Sequence, residues 1–313
     1  MASITLKAPA KVNLFLKILG KRKDGYHDIY TIFEKISLAD KITIASSPHG
    51  IKIRSDKIIT QRTKDNIAYK AALLIMKEFN ISSGVSIYIK KRIPMAAGLG
   101  GGSSNAASVL IGMDRLFNLH ITKRRMLNLA ARLGADVPFF VSGAAFAIGK
   151  GIGERLKPLN IDKKLWHLLI FPGFKSATQS VYEAFDRLDV SVTPQPCLGS
   201  SAKLLSKCLT RRNDGVRMYP LFRSSTGFGA IEAMLYNDLQ CAAFCEKKVL
   251  GSIIKRLTAS LGKKVVLSGS GSSVFCLYRT EKEAVRSKSR IYRSIPAAMR
   301  KNWNIFVAQT EKS

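Results

Sequence analysis

Pro94-Met95-Ala96-Ala97-Gly98-Leu99-Gly100-Gly101-Gly102-Ser103-Ser104 sets four glycines among five positions, then two hydroxyls. Upstream, Val85, Ile87 and Ile89 alternate with Ser86, Tyr88 and Lys90, the period of a half-buried strand over Val85–Lys91. Downstream, Asn105–Ile111 is small and apolar and predicts a buried helix. A strand, a glycine loop and a helix N-terminus together make an anion site. Glycine lets backbone N–H groups point into one concavity, and the first helical N–H groups have no intrahelical partner. The helix dipole adds roughly half a positive charge there. Glycine clusters also make plain turns, but both flanks here favour phosphate, and a polyphosphate is the natural guest. No lysine follows the last glycine, unlike a Walker A loop, and the N-terminal region lacks the glycine spacing of a dinucleotide fold.

The bulk of the chain sets the frame for that loop. A length of 313 residues predicts two domains, placed at 1–160 and 161–313, and 46% apolar content suffices for ordinary cores. No apolar run approaches the roughly 18 residues of a membrane helix. Met1–Lys7 has no signal-peptide core and reads as a strand, so a soluble cytoplasmic protein of bacterial type is expected. The five cysteines, Cys197, Cys208, Cys241, Cys245 and Cys276, contain no CxxC pair. With only four histidines, His27, His49, His120 and His167, a zinc site or disulfide framework is not expected. The net charge of +30 invites a nucleic-acid reading, yet Lys and Arg are spread over the whole chain without a dense tail or a stacking motif. A solvated basic surface with no specific nucleic-acid partner is the expectation.

Further along the chain, Ile4–Ala8 alternates as a strand, and a second strand follows Pro9 over Lys11–Leu19. Val12, Leu14, Leu16 and Ile18 point one way in that strand, while Lys11, Asn13, Phe15 and Lys17 point the other. Asp24-Gly25 signals a turn directly before Tyr26-His27. Ile42–Ile44 and Ile51–Ile53 are short strands, and Asp65 is placed to cap a helix over Asn66–Phe79. Thr122 caps another helix that stops at Gly134, after which Pro138 holds Val137 away from helical angles. Leu165–Phe171 opens the second half as a buried strand. Pro194–Pro196 and Arg211–Gly229 read as connections, and Asn237-Asp238-Leu239 heads or sits in a helix. Val265–Leu267 and Val274–Tyr278 are strands around the turn Ser268–Ser273. The fold class is α+β with two mixed domains.

Two residues stand out chemically. Asp136 lies between a helix stop and a Pro-Phe-Phe segment, where a carboxylate is partly buried; a turn or cap is its plain role. Lys11 sits in an apolar strand, where desolvating an ammonium is costly unless that face is exposed. Phosphoryl transfer needs a base near the acceptor hydroxyl and positive charge near the transferred group. Asp136 and Lys11 are the residue types that supply them.

Pro9-Ala10-Lys11-Val12-Asn13-Leu14, the loop Pro94–Ser104 and the turn Ser268–Ser273 together resemble the GHMP kinase superfamily. Lys11–Leu14 followed by Asp24-Gly25-Tyr26-His27, then Gly98–Ala107 and Gly134–Phe140, is similar to one branch of it. That branch uses ATP to phosphorylate the 2-hydroxyl of a cytidyl-diphosphate-linked methylerythritol in the non-mevalonate route to isoprenoids. The resemblance runs from Ala8 to about Tyr278 and is weakest over Cys197–Gly229. It implies a two-domain fold, with the phosphate loop in an N-terminal domain and a mixed α/β C-terminal domain. It implies that ATP phosphates lie on Pro94–Ser104, that Asp136 is the base, and that Lys11 keeps it ionised and steadies charge. It implies that Asn13 and His27 bind the cytidyl diphosphate substrate and that Tyr26 stacks on the cytosine, with Tyr182 as a second wall. It implies too that Ser268–Ser273 closes the site and that Mg²⁺ accompanies the phosphates within reach of Ser103 or Ser104. A sister kinase acting on homoserine or a mevalonate derivative keeps the loop but lacks Asp-Gly-Tyr-His. A basic RNA-binding protein on the same fold keeps the charge but has no need of Lys11 with Asp136.

Overall fold

The computed structural model describes residues 2–188 and 226–311. The fold begins with two long antiparallel strands, β1 (Ser3–Lys21) and β2 (His27–Ser47), joined by the turn that carries Asp24-Gly25. β2 is long enough to pair twice beyond β1. Its second half pairs with β4 (Gly84–Lys90), which is flanked by the parallel strand β3 (Ile51–Ser55), and its first half pairs with β5 (Phe146–Gly151) and through it β6 (Arg155–Leu159).

β1 is one strand rather than two. Pro9 does not end it; the ladder shifts register between Pro9 and Ala10 and again between Asn13 and Phe15. A bulge at a proline is a standard way to keep a strand going where an N–H is missing. The second shift breaks the strict alternation read from the sequence. Phe15 is fully buried and joins Val12 and Leu14 in one core instead of sharing an outward face with Lys11 and Asn13.

Helices α1 (Ile67–Glu78), α2 (Gly101–Leu116), α3 (Lys123–Ala131) and α4 (Val137–Val141) pack an apolar layer against this first sheet. Thr122 caps α3 as expected, accepting from the Arg125 N–H. The cap of α1 is Asn66, not Asp65: the Asn66 side chain accepts from the Ala68 N–H, and Asp65 lies in the preceding 3₁₀ turn. Val137 also departs from expectation, because it begins α4. Pro138 falls in the first turn, where the missing N–H costs nothing.

The second sheet is antiparallel, in the order β11 (Asn304–Gln309), β7 (Trp166–Phe171), β10 (Val274–Tyr278) and β9 (Val266–Leu267). Around it lie α5 (Thr178–Arg187), α6 (Phe228–Met234), α7 (Leu239–Glu246), α8 (Lys248–Leu261), α9 (Glu281–Ser294) and the short α10 (Ala297–Arg300). Asp238 heads α7. Cys276 is buried in β10, where burial pushes its thiol up to about 12. The connection at Pro194–Pro196, most of that at Arg211–Gly229, and Cys197 and Cys208 lie outside the described residues.

The two halves are stitched together. β8 (Tyr236–Asn237), from the second half, runs parallel to β1 at Phe15 and Leu16 and so extends the first sheet. Glu34 on β2 is fully buried and bonds both His167 of β7, at 2.9 Å, and Thr310 after β11, at 2.7 Å. One apolar cluster runs through both sheets, from Val12 and Ile32 to Leu169 and Phe275. A continuous core thereby joins the two halves. No helix among the described residues is long and apolar enough to cross a membrane.

Candidate active site

The glycine loop leaves β4 and enters α2 with Gly100 as the N-cap, at φ +66°. Gly98 is also left-handed, at φ +76°. Close approach forbids a side chain at either position. A Cβ on Gly100 would lie 2.9 Å from the Phe140 ring and 3.0 Å from Lys11 Cγ, and one on Gly98 would lie 2.0 Å from the Ser268 carbonyl oxygen. The loop is fixed on both sides. Lys11 N donates to the Leu99 carbonyl at 3.0 Å, tying β1 to the loop. From the second half, Ser176 N donates to Ala96 O at 3.0 Å, Ser273 N to Ala97 O at 3.1 Å and Ser268 Oγ to Gly98 O at 3.0 Å. Beneath the loop, buried Lys91 pairs with Asp40, and Asn105 bonds both of them. The second oxygen of Asp40 accepts from the Arg92 and Ile93 N–H groups, which anchors the chain entering the loop.

Lys11 is buried in the middle of β1, and its ammonium is satisfied locally. It donates to Asn13 Oδ1 at 2.7 Å, lies over the Phe33 ring at 5.4 Å, and is 3.5 Å from Asp136 Oδ2. Asn13 in turn donates to Thr31 Oγ1 at 2.7 Å, and Thr31 donates to the Phe15 carbonyl at 2.7 Å. This chain of bonds fixes which way the Asn13 amide faces, and so aims its oxygen at Lys11. Asp136 occupies the N-cap position of α4 but makes no capping bond. Its side chain is 31% exposed and is directed to Lys11 instead, which argues against a simple turn role. The turn Ser268–Ser273 covers Lys11 and Asn13: a Cβ on Gly269 would lie 3.4 Å from both Lys11 Nζ and Asn13 Oδ1.

A cleft of about 1080 Å³ joins these groups. The loop from Pro94 to Ser103, Lys11, Asn13, Asp136, Tyr26, His27, Tyr182 and Ser270 all line it. Ser104 does not; it is fully buried, and its hydroxyl has no partner. Tyr26 stands 60% exposed at the rim, whereas His27 is buried. The His27 and Tyr182 rings lie 5.0 Å apart at 36°. Burial, and then the negative charge of Asp136, raise the Tyr182 phenol above its ordinary value, so it stays neutral. Every site residue read from the sequence except Ser104 therefore reaches one cleft. The roles of Thr31, Asp186 and Lys21 are not legible in the sequence, because they depend on partners far away in it; Lys175 also lines the cleft. Asp186 of α5 bonds His27 Nε2 at 2.6 Å and Lys21 Nζ at 2.6 Å.

Comparison with known proteins bears on what this cleft does. The GHMP kinases N terminal domain matches residues 66–144, and the GHMP kinases C terminal domain matches residues 218–297. The 4-diphosphocytidyl-2-C-methyl-D-erythritol kinase of Acetivibrio thermocellus is 35% identical over 99% of this chain and 100% of that protein. The chain belongs to this family. The kinase of the same name from Geobacter metallireducens is 36% identical over 91% of this chain and 92% of its own length. A crystal structure of a 4-(cytidine 5'-diphospho)-2C-methyl-D-erythritol kinase superposes with a TM-score of 0.71, at 32% identity over 98% of each chain. The homoserine kinase of Cytophaga hutchinsonii has a TM-score of 0.68 at 16% identity over 100% of this chain and 95% of its own, a likeness of fold. The protein is thus a GHMP kinase with the α+β architecture of that superfamily, and ATP is its phosphoryl donor.

Proposed function

We propose that the cleft transfers the γ-phosphoryl group of ATP to the 2-hydroxyl of 4-diphosphocytidyl-2-C-methyl-D-erythritol, a step in isoprenoid precursor synthesis. The observation that carries this reading is the Lys11–Asp136 pair at 3.5 Å, set where the phosphate loop meets the His27 and Tyr182 wall. In this reading the triphosphate rests on Pro94–Ser104, held by the loop and the first turn of α2. The cytidyl diphosphate end lies along Asn13, Tyr26, His27 and Tyr182. The acceptor oxygen attacks the γ-phosphorus, the bond to the β,γ-bridging oxygen breaks, and ADP leaves. Asp136 takes the hydroxyl proton. Lys11 steadies the carboxylate and the charge spread over the transferred group. The turn at Ser268–Ser273 and the second half exclude water, which otherwise competes as acceptor.

Mg²⁺ suits this donor set as a nucleotide-borne ion. Among the described residues there is no cluster of three His, Cys, Asp or Glu side chains. Mg²⁺ commonly keeps waters and leans on phosphates plus one or two protein oxygens. Ser103 lines the cleft and is the hydroxyl we assign to it, ahead of Ser104, which lies behind the wall. When bound, the ion neutralises developing charge on the phosphates. We further read residues 1–160 as the unit that supplies the loop and the Lys11–Asp136 pair, and 161–313 as the unit that closes over them. The reaction is placed in the cytoplasm, with the basic surface a solvated one.

The test is a pair of substitutions. Asp136→Asn keeps the shape but removes the base. General-base assistance is worth about 10²–10⁴ in rate, so kcat should fall by that factor while KM moves little. Lys11→Met should lower kcat as well, and the double variant should lose less than the product of the two, because the residues act as a unit. Near wild-type kcat in a folded Asp136→Asn variant would remove Asp136 from the chemistry. Equal turnover of a methylerythritol phosphate lacking the cytidyl group would remove the substrate reading.

A further inference from the structure

His27 is buried beside Tyr182, with the Phe185 ring set edge-on at 6.4 Å and 88°, and it lines the cleft. Its two ring nitrogens are not equivalent. Nε2 is 2.6 Å from Asp186 Oδ1. The other oxygen of Asp186 receives Lys21 Nζ at 2.6 Å. Burial works against charge on Asp186, but the hydrogen bonds from Lys21 and His27 outweigh it and hold the carboxyl below its usual range. An ionised carboxylate only accepts, so the proton of the His27–Asp186 bond belongs to Nε2. In a neutral imidazole the other nitrogen, Nδ1, is then bare and can only accept. No described group bonds Nδ1.

We propose that Asp186 is a positioning residue that locks His27 in the Nε2-protonated tautomer, so that Nδ1 selects a pyrimidine bearing an exocyclic amine over one bearing a keto oxygen. The chemistry of the two bases supports the choice. Cytosine offers an N4 amino donor where uracil offers an O4 acceptor. A bare Nδ1 pairs with the first and faces the second lone pair to lone pair. Lys21, bonded to the far oxygen, keeps the carboxylate from turning away or protonating. The selection therefore rests on a relay of Lys21, Asp186 and His27 that spans the end of β1, α5 and the start of β2. This inference rests on the reading that His27 and Tyr182 hold the base of the nucleotide-linked substrate.

The experiment compares kcat/KM for the cytidyl diphosphate substrate and its uridyl counterpart in the wild type and in the Asp186→Asn, Asp186→Glu and His27→Ala variants. An asparagine presents either an oxygen or an NH₂ to Nε2, so both His27 tautomers become available. The cytidyl-to-uridyl ratio should fall at least about tenfold in Asp186→Asn and recover in part in Asp186→Glu, which restores the carboxylate. Nitrogen NMR of the His27 ring provides a readout that a structural role would not move. The wild type should show a protonated Nε2 and a bare Nδ1, and Asp186→Asn should show a mixture. An unchanged ratio and an unchanged tautomer in a folded Asp186→Asn variant would overturn the proposal. If His27→Ala also leaves the ratio unchanged, the placement of the base itself fails. If His27→Ala collapses the ratio and Asp186→Asn does not, only the role of Asp186 fails.

Discussion

Replacing Gly98 with alanine tests whether the phosphate loop and the Ser268–Ser273 turn form one working unit. Gly98 sits at φ +76°, and an added Cβ would lie 2.0 Å from the Ser268 carbonyl oxygen. The left-handed backbone alone costs alanine about 1–2 kcal/mol. Relief of the contact requires the turn to retreat by more than about 1 Å, since non-bonded heavy atoms settle near 3.5 Å. That retreat breaks the Ser268–Gly98 and Ser273–Ala97 bonds, of 3.0 and 3.1 Å, each worth about 0.5–1.5 kcal/mol. The sum is about 2–5 kcal/mol, or a fall in Tm of roughly 3–8 °C for a chain of this size. The functional loss should exceed the stability loss, because Gly269 in the same turn covers Lys11 and Asn13. Calorimetry, binding of a non-hydrolysable ATP analogue and kcat on one preparation separate the two effects. We expect weakened analogue binding and at least a hundredfold lower kcat at a temperature where the variant is folded. Gly102→Ala is the control for stability, since its Cβ meets only Ile67 Cγ2 at 3.6 Å; its Tm should not fall. A Gly98→Ala variant with wild-type Tm and kcat would refute the idea that the turn is seated on the loop.

Two further outcomes follow from charge. Burial lowers the Lys35 ammonium to about 8 despite attraction from Glu311, so between about pH 8 and the ordinary lysine value the unfolded chain binds a proton that the folded chain does not. Stability attributable to this site should therefore rise with pH across that window, and Lys35→Met should remove the slope and raise Tm at pH 7, as denaturant titrations at several pH values will register. Lys175 lines the cleft from its exposed edge and forms no ion pair among the described residues. Lys175→Met should raise KM for one of the anionic substrates by about three- to tenfold, and the salt dependence of kcat/KM should flatten; an unchanged salt profile would mean the cation faces only solvent.

Local features of the sequence carried a good part of this structure. The glycines and their flanking strand and helix mark the loop within one short window. Lys11 and Asp136 stand out because a charge in an apolar context must have a reason. The sequence is silent where the physics is long-range. Thr31, which orients Asn13, and Asp186, which holds His27, lie 18 and 159 residues from their partners, so no periodicity announces them. Glu34 and His167 form a buried pair between the sheets, 133 residues apart, and each alone reads as an unremarked polar residue in an apolar strand. The missed bulges in β1 have a different cause. Strict alternation places Phe15 beside Lys11 and Asn13, but a register shift is decided by the partner strand and the core it must fill. At Pro138 two physical rules compete, the restriction on the residue before a proline and the tolerance of proline in a first helical turn, and the second wins.

The distribution of charge in the cleft bears on how the glycine loop would hold phosphate, as proposed, without a lysine of its own. Three of the lysines that line the cleft are already committed. Lys91 is paired with Asp40, Lys21 with Asp186, and Lys11 is shared between Asn13 and Asp136. Lys11 and Lys91 are buried, and a buried ammonium without partners is not tolerated. Their partners are therefore conditions for having cations there at all. The consequence is that little free side-chain charge remains to meet the bulk of a triphosphate. In the proposed reading the loop instead supplies fixed backbone dipoles: the N–H groups that open α2, in a loop shaped by the left-handed Gly98 and Gly100 and anchored from below by Asp40. Such dipoles need no rearrangement as charge develops, and in that reading they leave Lys11 for the proposed transfer step. The +30 charge of the chain supplies a long-range pull on anions, whereas in the proposed reading the discrimination between bound and transferred phosphate is local and rests on geometry.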